Sequence, residues 1–264
     1  SAHQDNESTD RQQITLPYNQ EDVIRALAPV SKNLVVVNIS GSAVAMPWAS
    51  EVDAIVQGWY GGTESGNALA DVLTGKVNPS GKLPFTFPFK YEDGPIKTEA
   101  QYPGIKAEGD EYWQTHYSEG VYVGYRWYSS KKIKVQFPFG HGLSYTTFAY
   151  SNAVADKAEM TADQTLKVSV DVTNTGATDG AEVVQLYIND VKSTIDRPVK
   201  ELKNFEKVYL KAGETKTVTF EIDAQDLSYF DADKHEWVAE PGKFKALIGS
   251  SSEDIRSTVN FKLK

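Results

Sequence analysis

With 264 residues, 40 % hydrophobic and 11 % aromatic, the chain has the length and apolar mass for one large domain or two ordinary ones, and too much core material for wholesale disorder. Lys and Arg total 27 against 36 Asp and Glu, a net charge of −9 that argues against a general phosphate-backbone binder and hence a nucleic-acid partner. No run approaches the roughly 18 apolar residues of a membrane span, and zero cysteines exclude disulfides, thiolate metal sites and a cysteine nucleophile.

The chain opens on Ser1-Ala2-His3 with neither an initiator Met nor a signal peptide, so its first residue reads as a cut end. Helical spacing of Val23, Ile24, Leu27 and Val30 predicts a helix over 20–30, with Asn19 as its cap and Glu21 and Asp22 at its positive end. The β-branched run Asn33 to Gly41 predicts a strand buried on both faces, and 52–60 a helix-to-strand step. A small amphipathic helix is expected over 66–73, stopped by Gly75. Alternating helices and buried strands imply an α/β layer architecture.

From Asn78 the texture changes. Pro79, Pro84, Pro88, Pro95 and Pro103 make an extended connector, followed by aromatics crowded between Tyr112 and Tyr128. Beyond Thr146 the period is two: strands are expected over 166–176, 182–190, 203–210, 215–223, 242–250 and 257–264, the pattern of an antiparallel sandwich. The expected fold class is therefore α/β plus all-β.

Several chemistries fail on inspection. GGTESGNAL (61–69) offers glycines before a helix but lacks the phosphate-loop Lys, and no G-x-S-x-G elbow occurs. The four histidines have no metal-ligand spacing; Asp231, Asp233 and His235 read as a solvated turn, and His141, between Gly140 and Gly142, as a turn imidazole. Glu119 and Arg126 read as a salt bridge. Carboxylates remain, the groups on which glycosidic cleavage rests, but 36 candidates cannot be sorted by counting.

The order of motifs sorts them. Glu7-Ser8-Thr9-Asp10-Arg11 followed by Leu16-Pro17 and Gln20, then VVVNISG (35–41), the long block through WYGG (59–62), GNALADVLTG (66–75) and NPSGKLPFTFP (78–88), then FPFGHGLSYTTF (137–148) and RPVKELKNFEKVYLKAGET (197–215), are similar to the C-terminal part of glycoside hydrolase family 3, the β-glucosidase and β-xylosidase family. The resemblance implies the C-terminal half of an α/β sandwich domain over 1–105, an aromatic-rich connector over 106–144, and a fibronectin type III-like β-sandwich over 145–264. It implies a retaining, exo-acting hydrolase of terminal β-linked sugars, with a β-glycoside substrate and without metal or organic cofactor.

The resemblance further implies a nucleophilic Asp on a barrel domain upstream and an acid/base Glu on the sandwich domain. No motif here matches the nucleophile, so this chain alone is expected to be inactive. Glu7 is the acid/base candidate, with local capping as its alternative role; Ser8 stands where the family has Gly. Asp10 and Arg11 are expected to brace that loop as an ion pair, and Trp48 is a candidate for stacking on a sugar. A non-catalytic carbohydrate-binding or scaffold role and β-xylosidase specificity stay open. An uncovered sheet edge is expected to favour a homodimer. Composition selects no compartment, and the resemblance leans to a periplasmic or secreted setting for the full-length enzyme.

Overall fold

The computed structural model describes Arg11 and residues 13–264. Contacts divide the chain into two units: residues to Val77 with Phe85–Ser118 and Ile133–Pro138, and Asn78–Pro84 with Glu119–Lys132 and Phe139–Lys264. Among the described residues no helix is long and apolar enough to cross a membrane.

In the first unit, helix α1 (Gln20–Leu27) carries Glu21 and Asp22 in its first turn and Arg25 in its last, each opposing the end of the helix dipole it faces. A single 3₁₀ turn, Ala28–Val30, continues it. Strand β1 (Val35–Asn38) pairs in parallel with β2 (Ala54–Gln57), and α2 (Ser65–Leu73) follows. The core gathers Val44, Met46, Trp48 and Phe87. β1 departs from the expected double burial. Among the described residues it pairs only with β2, which leaves Val35 43 % exposed, and neither α1 nor α2 contains a buried residue.

The second unit holds α3 (Tyr125–Lys131) and a two-sheet sandwich. Its strands are β3 (Phe148–Ala155), β4 (Glu159–Met160), β5 (Leu166–Asn174), β6 (Gly180–Asp190), β7 (Glu201–Leu210) and β8 (Thr215–Ile222). After the short helix α4 (Ala224–Leu227) come β9 (Tyr229–Asp231), β10 (Glu236–Val238), β11 (Gly242–Gly249) and β12 (Ile255–Leu263). One sheet runs β4-β12-β11-β6-β7 and the other β3-β5-β8, with β9 and β10 a separate antiparallel pair. All neighbours in the two main sheets are antiparallel except β4 and β12. Alternation does the sorting: β5 buries Leu166, Val168, Val170 and Val172 and turns the intervening residues outward. They meet Phe220, Phe244 and Phe261 in one core, where the last two rings stack at 5.7 Å.

Asn174 closes this sandwich. It is fully buried, and every hydrogen-bonding site on its amide is used: Oδ1 accepts from Thr146 Oγ1 (2.6 Å) and Gly176 N (3.1 Å), while Nδ2 donates to Thr178 O (2.9 Å) and Leu210 O (3.2 Å). Leaving a buried polar group unpaired costs about 1–3 kcal/mol. N174A is therefore expected to lower the unfolding free energy by about 3 kcal/mol in urea titrations; a loss below about 1 kcal/mol would show that water replaces the amide.

Asp254 is one contributor to the pH dependence of this unit. Its carboxyl is held below the ordinary carboxylate range, first by the hydrogen bond from Arg256 and then by Ser250, with Lys82 adding a weaker pull against the cost of burial. A lowered folded pKa stabilises above the unfolded value, near 4, and that contribution is lost as pH falls through the lower folded value. D254N should therefore lower the melting temperature at neutral pH and converge on the wild type in acid. A gap independent of pH would contradict this.

Candidate functional site

The carboxyl ends of β1 and β2 are where an open parallel sheet presents a crevice to ligands. Their last paired residues, Asn38 and Gln57, are both amides and lie in register. Asn38 Nδ2 donates to Gln57 Oε1 (2.6 Å) and Ser40 Oγ (3.0 Å); Gln57 Nε2 donates to Ser40 O (3.3 Å) and Oγ (3.2 Å). Ser40 Oγ in turn donates to Ser42 O (2.9 Å). Asn38 and Ser40 are buried. This cluster fixes the loop 40–43, which leaves the end of β1.

Arg11 grips that loop. Its Nη1 donates to Ser42 Oγ (2.5 Å) and Ala43 O (3.1 Å), and Ala45 N donates to Ile14 O (2.7 Å) just beyond. Arg11 Nε and Nη2 are buried and have no hydrogen-bond partner among the described residues. Glu7 and Asp10 lie outside the described residues, so the expected Asp10–Arg11 pair has no geometry here.

Trp59 follows β2 with φ of 53°, in the left-handed region that bulky residues seldom occupy. Its indole meets Phe85 edge-on at 5.4 Å and Phe87 at 6.2 Å, and those two rings stack. Trp48 is 0 % exposed. Its ring is core and offers no face on which a sugar can stack. Its neighbour Met46 is clamped from both sides by Gln136, whose Oε1 accepts from Met46 N (2.9 Å) and whose Nε2 donates to Met46 O.

Other residues singled out in the sequence have structural partners. Arg126 pairs with Glu201 at 3.6 Å, in place of the expected Glu119. Asp231 Oδ1 accepts from the backbone of Asp233 and Lys234, and Lys234 Nζ meets its Oδ2 at 2.9 Å, which makes the 231–235 segment a turn. Burial, and then Lys82, lower the His141 pKa, so its imidazole is neutral at pH 7. Among the described residues no group of three His, Cys, Asp or Glu side chains is arranged to hold a metal ion. The amide cluster itself was not singled out in the sequence. Its signal was there: an amide residue ending each of two otherwise apolar runs.

The chain matches two family models, the glycosyl hydrolase family 3 C-terminal domain over residues 1–145 and a fibronectin type III-like domain over 182–252. It is 51 % identical over 261 residues to β-glucosidase BoGH3A of Bacteroides ovatus, covering 98 % of this chain and 34 % of that protein. It is 47 % identical over 251 residues to the thermostable β-glucosidase B of Acetivibrio thermocellus, covering 95 % and 32 %. Among solved structures, DesR, a β-glucosidase of Streptomyces venezuelae crystallised with D-glucose, superposes with a TM-score of 0.90 at 38 % identity, covering 99 % of this chain and 33 % of that one. The Bifidobacterium adolescentis GH3 β-glucosidase superposes at 0.89 with 40 % identity, over 97 % and 37 %. The chain thus spans about a third of the length of the curated relatives it matches.

Proposed function

The chain belongs to glycosyl hydrolase family 3, through that family's C-terminal domain, and on that footing we propose that it supplies the acid/base half of a retaining β-glucosidase site. The observation that carries the proposal is the grip of Arg11 on the loop at the carboxyl end of β1. Covalent connection alone keeps the Cα of Glu7 within roughly 14 Å of that of Arg11, because a residue spans at most about 3.6 Å. The two Arg11 donors that have no partner among the described residues provide a positively charged anchor for carboxylates on the same segment.

In this reading the Glu7 carboxyl gives its proton to the glycosidic oxygen as the aglycone leaves. An Asp outside these 264 residues takes the anomeric carbon as an ester. Glu7, now a carboxylate, then accepts a proton from the water that displaces that Asp. The two steps return both carboxyl groups to their starting states and need no metal. A glucoside is the favoured substrate, supported by the β-glucosidase relatives and the D-glucose complex of DesR.

The 264-residue chain by itself is expected to release no aryl aglycone from an aryl β-D-glucoside above an E7A control. Turnover above that control contradicts the division of the site. Grafted in place of the matched C-terminal third of the Bacteroides ovatus relative, the same residues are expected to give an active glucosidase. A folded but inert hybrid contradicts the assignment.

A further inference from the structure

Within the second unit, the turn that carries His141 and Leu143, the first residue of β3, the start of β6 and the β11–β12 connection enclose a cleft of about 370 Å³. Ligand pockets begin near about 300 Å³. Its charged lining residues are Glu182, Asp254 and Arg256, and Leu143 and Phe148 supply apolar surface.

The charges cancel in place. Lys82 Nζ meets Glu182 Oε1 at 2.8 Å, and Arg256 Nη2 meets Asp254 Oδ2 at 2.8 Å. With the His141 imidazole neutral at pH 7, the cleft favours neither an anion nor a cation. Hydrogen-bonding capacity is left over. Glu182 Oε2 and Asp254 Oδ1 accept no hydrogen bond among the described residues, since the bonds of these carboxylates go to their other oxygens. Behind this lining and outside it, the buried hydroxyls of Tyr150 and Ser252 have no hydrogen-bond partner among the described residues. Tyr150 lies under Arg256, whose guanidinium is 5.1 Å from the ring centroid. Ser250 and Ser251, also lining the cleft, are 8 % and 2 % exposed. Glu182, whose side chain is 8 % exposed, and the half-exposed Asp254 thus line the cleft with accepting capacity that a ligand can use.

The geometry points to a saccharide site built wholly within the fibronectin type III-like unit, taking an uncharged pyranose. Paired carboxylates accept from ring hydroxyls, serine and threonine hydroxyls both donate and accept, and the apolar side chains face the C–H surface of the ring. This inference goes beyond the proposed acid/base role and does not depend on it.

The test is calorimetric and NMR titration of D-glucose and methyl β-D-glucoside into the 264-residue chain. Saturable binding with a Kd on the order of millimolar is expected, as befits a dozen-atom ligand. T147W, which places an indole at the mouth of the cleft, should weaken binding by about tenfold or more with an unchanged melting curve. L143W serves the same purpose if T147W fails to fold, because Leu143 is 76 % exposed. Glucosamine, glucuronate and inorganic phosphate should bind more weakly than glucose. Absence of saturation, wild-type affinity in the tryptophan variants, or tighter binding of phosphate each overturns the proposal.

Discussion

R197M is expected to lower the unfolding free energy at neutral pH by about 3–5 kcal/mol, the range for removing one partner of a buried ion pair. The guanidinium is 8 % exposed and meets Glu201 Oε2 at 2.7 Å and Asp190 Oδ2 at 3.5 Å. It also donates to the carbonyls of Leu227 (2.9 Å) and Ser228 (3.3 Å) and lies over the Tyr229 ring. Methionine matches its bulk and removes all of these bonds, leaving Asp190 with the Lys192 N–H but no cation and Glu201 with only the more distant Arg126. Burial raises the Asp190 pKa, opposed by the Lys192 backbone N–H and by Arg197. Without Arg197 it rises further. Acidification then protonates the stranded carboxyl in the folded state, so the deficit of R197M should shrink as pH falls. R126M is the control: Arg126 is 35 % exposed and 3.6 Å from Glu201, and such pairs contribute at most about 1 kcal/mol. Equal losses in the two variants would contradict the account of Arg197 as the buried hub.

The second large effect concerns catalysis. In the hybrid enzyme, E7Q keeps the shape of the side chain and removes the transferable proton. General acid–base catalysis contributes about 10²- to 10⁴-fold, and the loss in kcat on alkyl glucosides should fall in that range. The basic limb of the kcat/KM profile should disappear as well, because that limb reports loss of the acid's proton. Unchanged folding and glucose affinity would separate this outcome from collapse of the segment around Arg11. Retention of the basic limb would assign the proton donor to another residue.

The strands that sequence alone reveals are mostly those with alternating burial. β5, β8 and β12 alternate, β11 does so over most of its length, β7 only at Val208 and Leu210, and β6 buries residues 184–188 without a break; all six appear within a few residues of the expected spans. β3 escaped because its register shifts between Ser151 and Val154, where Asn152 takes φ of 54° and breaks the period. α3 is a seven-residue aromatic helix bounded by Gly124 and Lys132 at positive φ, too short to show a helical stripe. β4 has two residues and owes its existence to pairing with β12. The Arg126 partner lies 75 positions away on β7, a contact that local pattern does not encode.

Of the site, Arg11 entered through the motif that surrounds it, and its contact with the 40–43 loop through the fold. Trp48 illustrates the opposite case. A tryptophan after proline near a strand end suits either a sugar platform or a core, and complete enclosure decides for the core. Burial is a collective property of neighbours, so no single position announces it. The turn glycine Gly140 makes the same point from the other side. Its φ of 80° and a Cβ position only 2.2 Å from Gln185 Oε1 demand glycine, yet the sequence shows only a Gly-His-Gly run.

Proton donation from Glu7 to the leaving oxygen is tested most directly by a leaving-group series: kcat/KM of the hybrid and its E7Q variant on aryl β-D-glucosides whose phenols run from strongly to weakly acidic. Weakly acidic phenols need protonation to depart and strongly acidic ones do not. The account predicts that E7Q and its parent are nearly equal on the dinitrophenyl glucoside and diverge steadily toward the phenyl glucoside. A loss that is uniform across the series, or absent throughout, would contradict it.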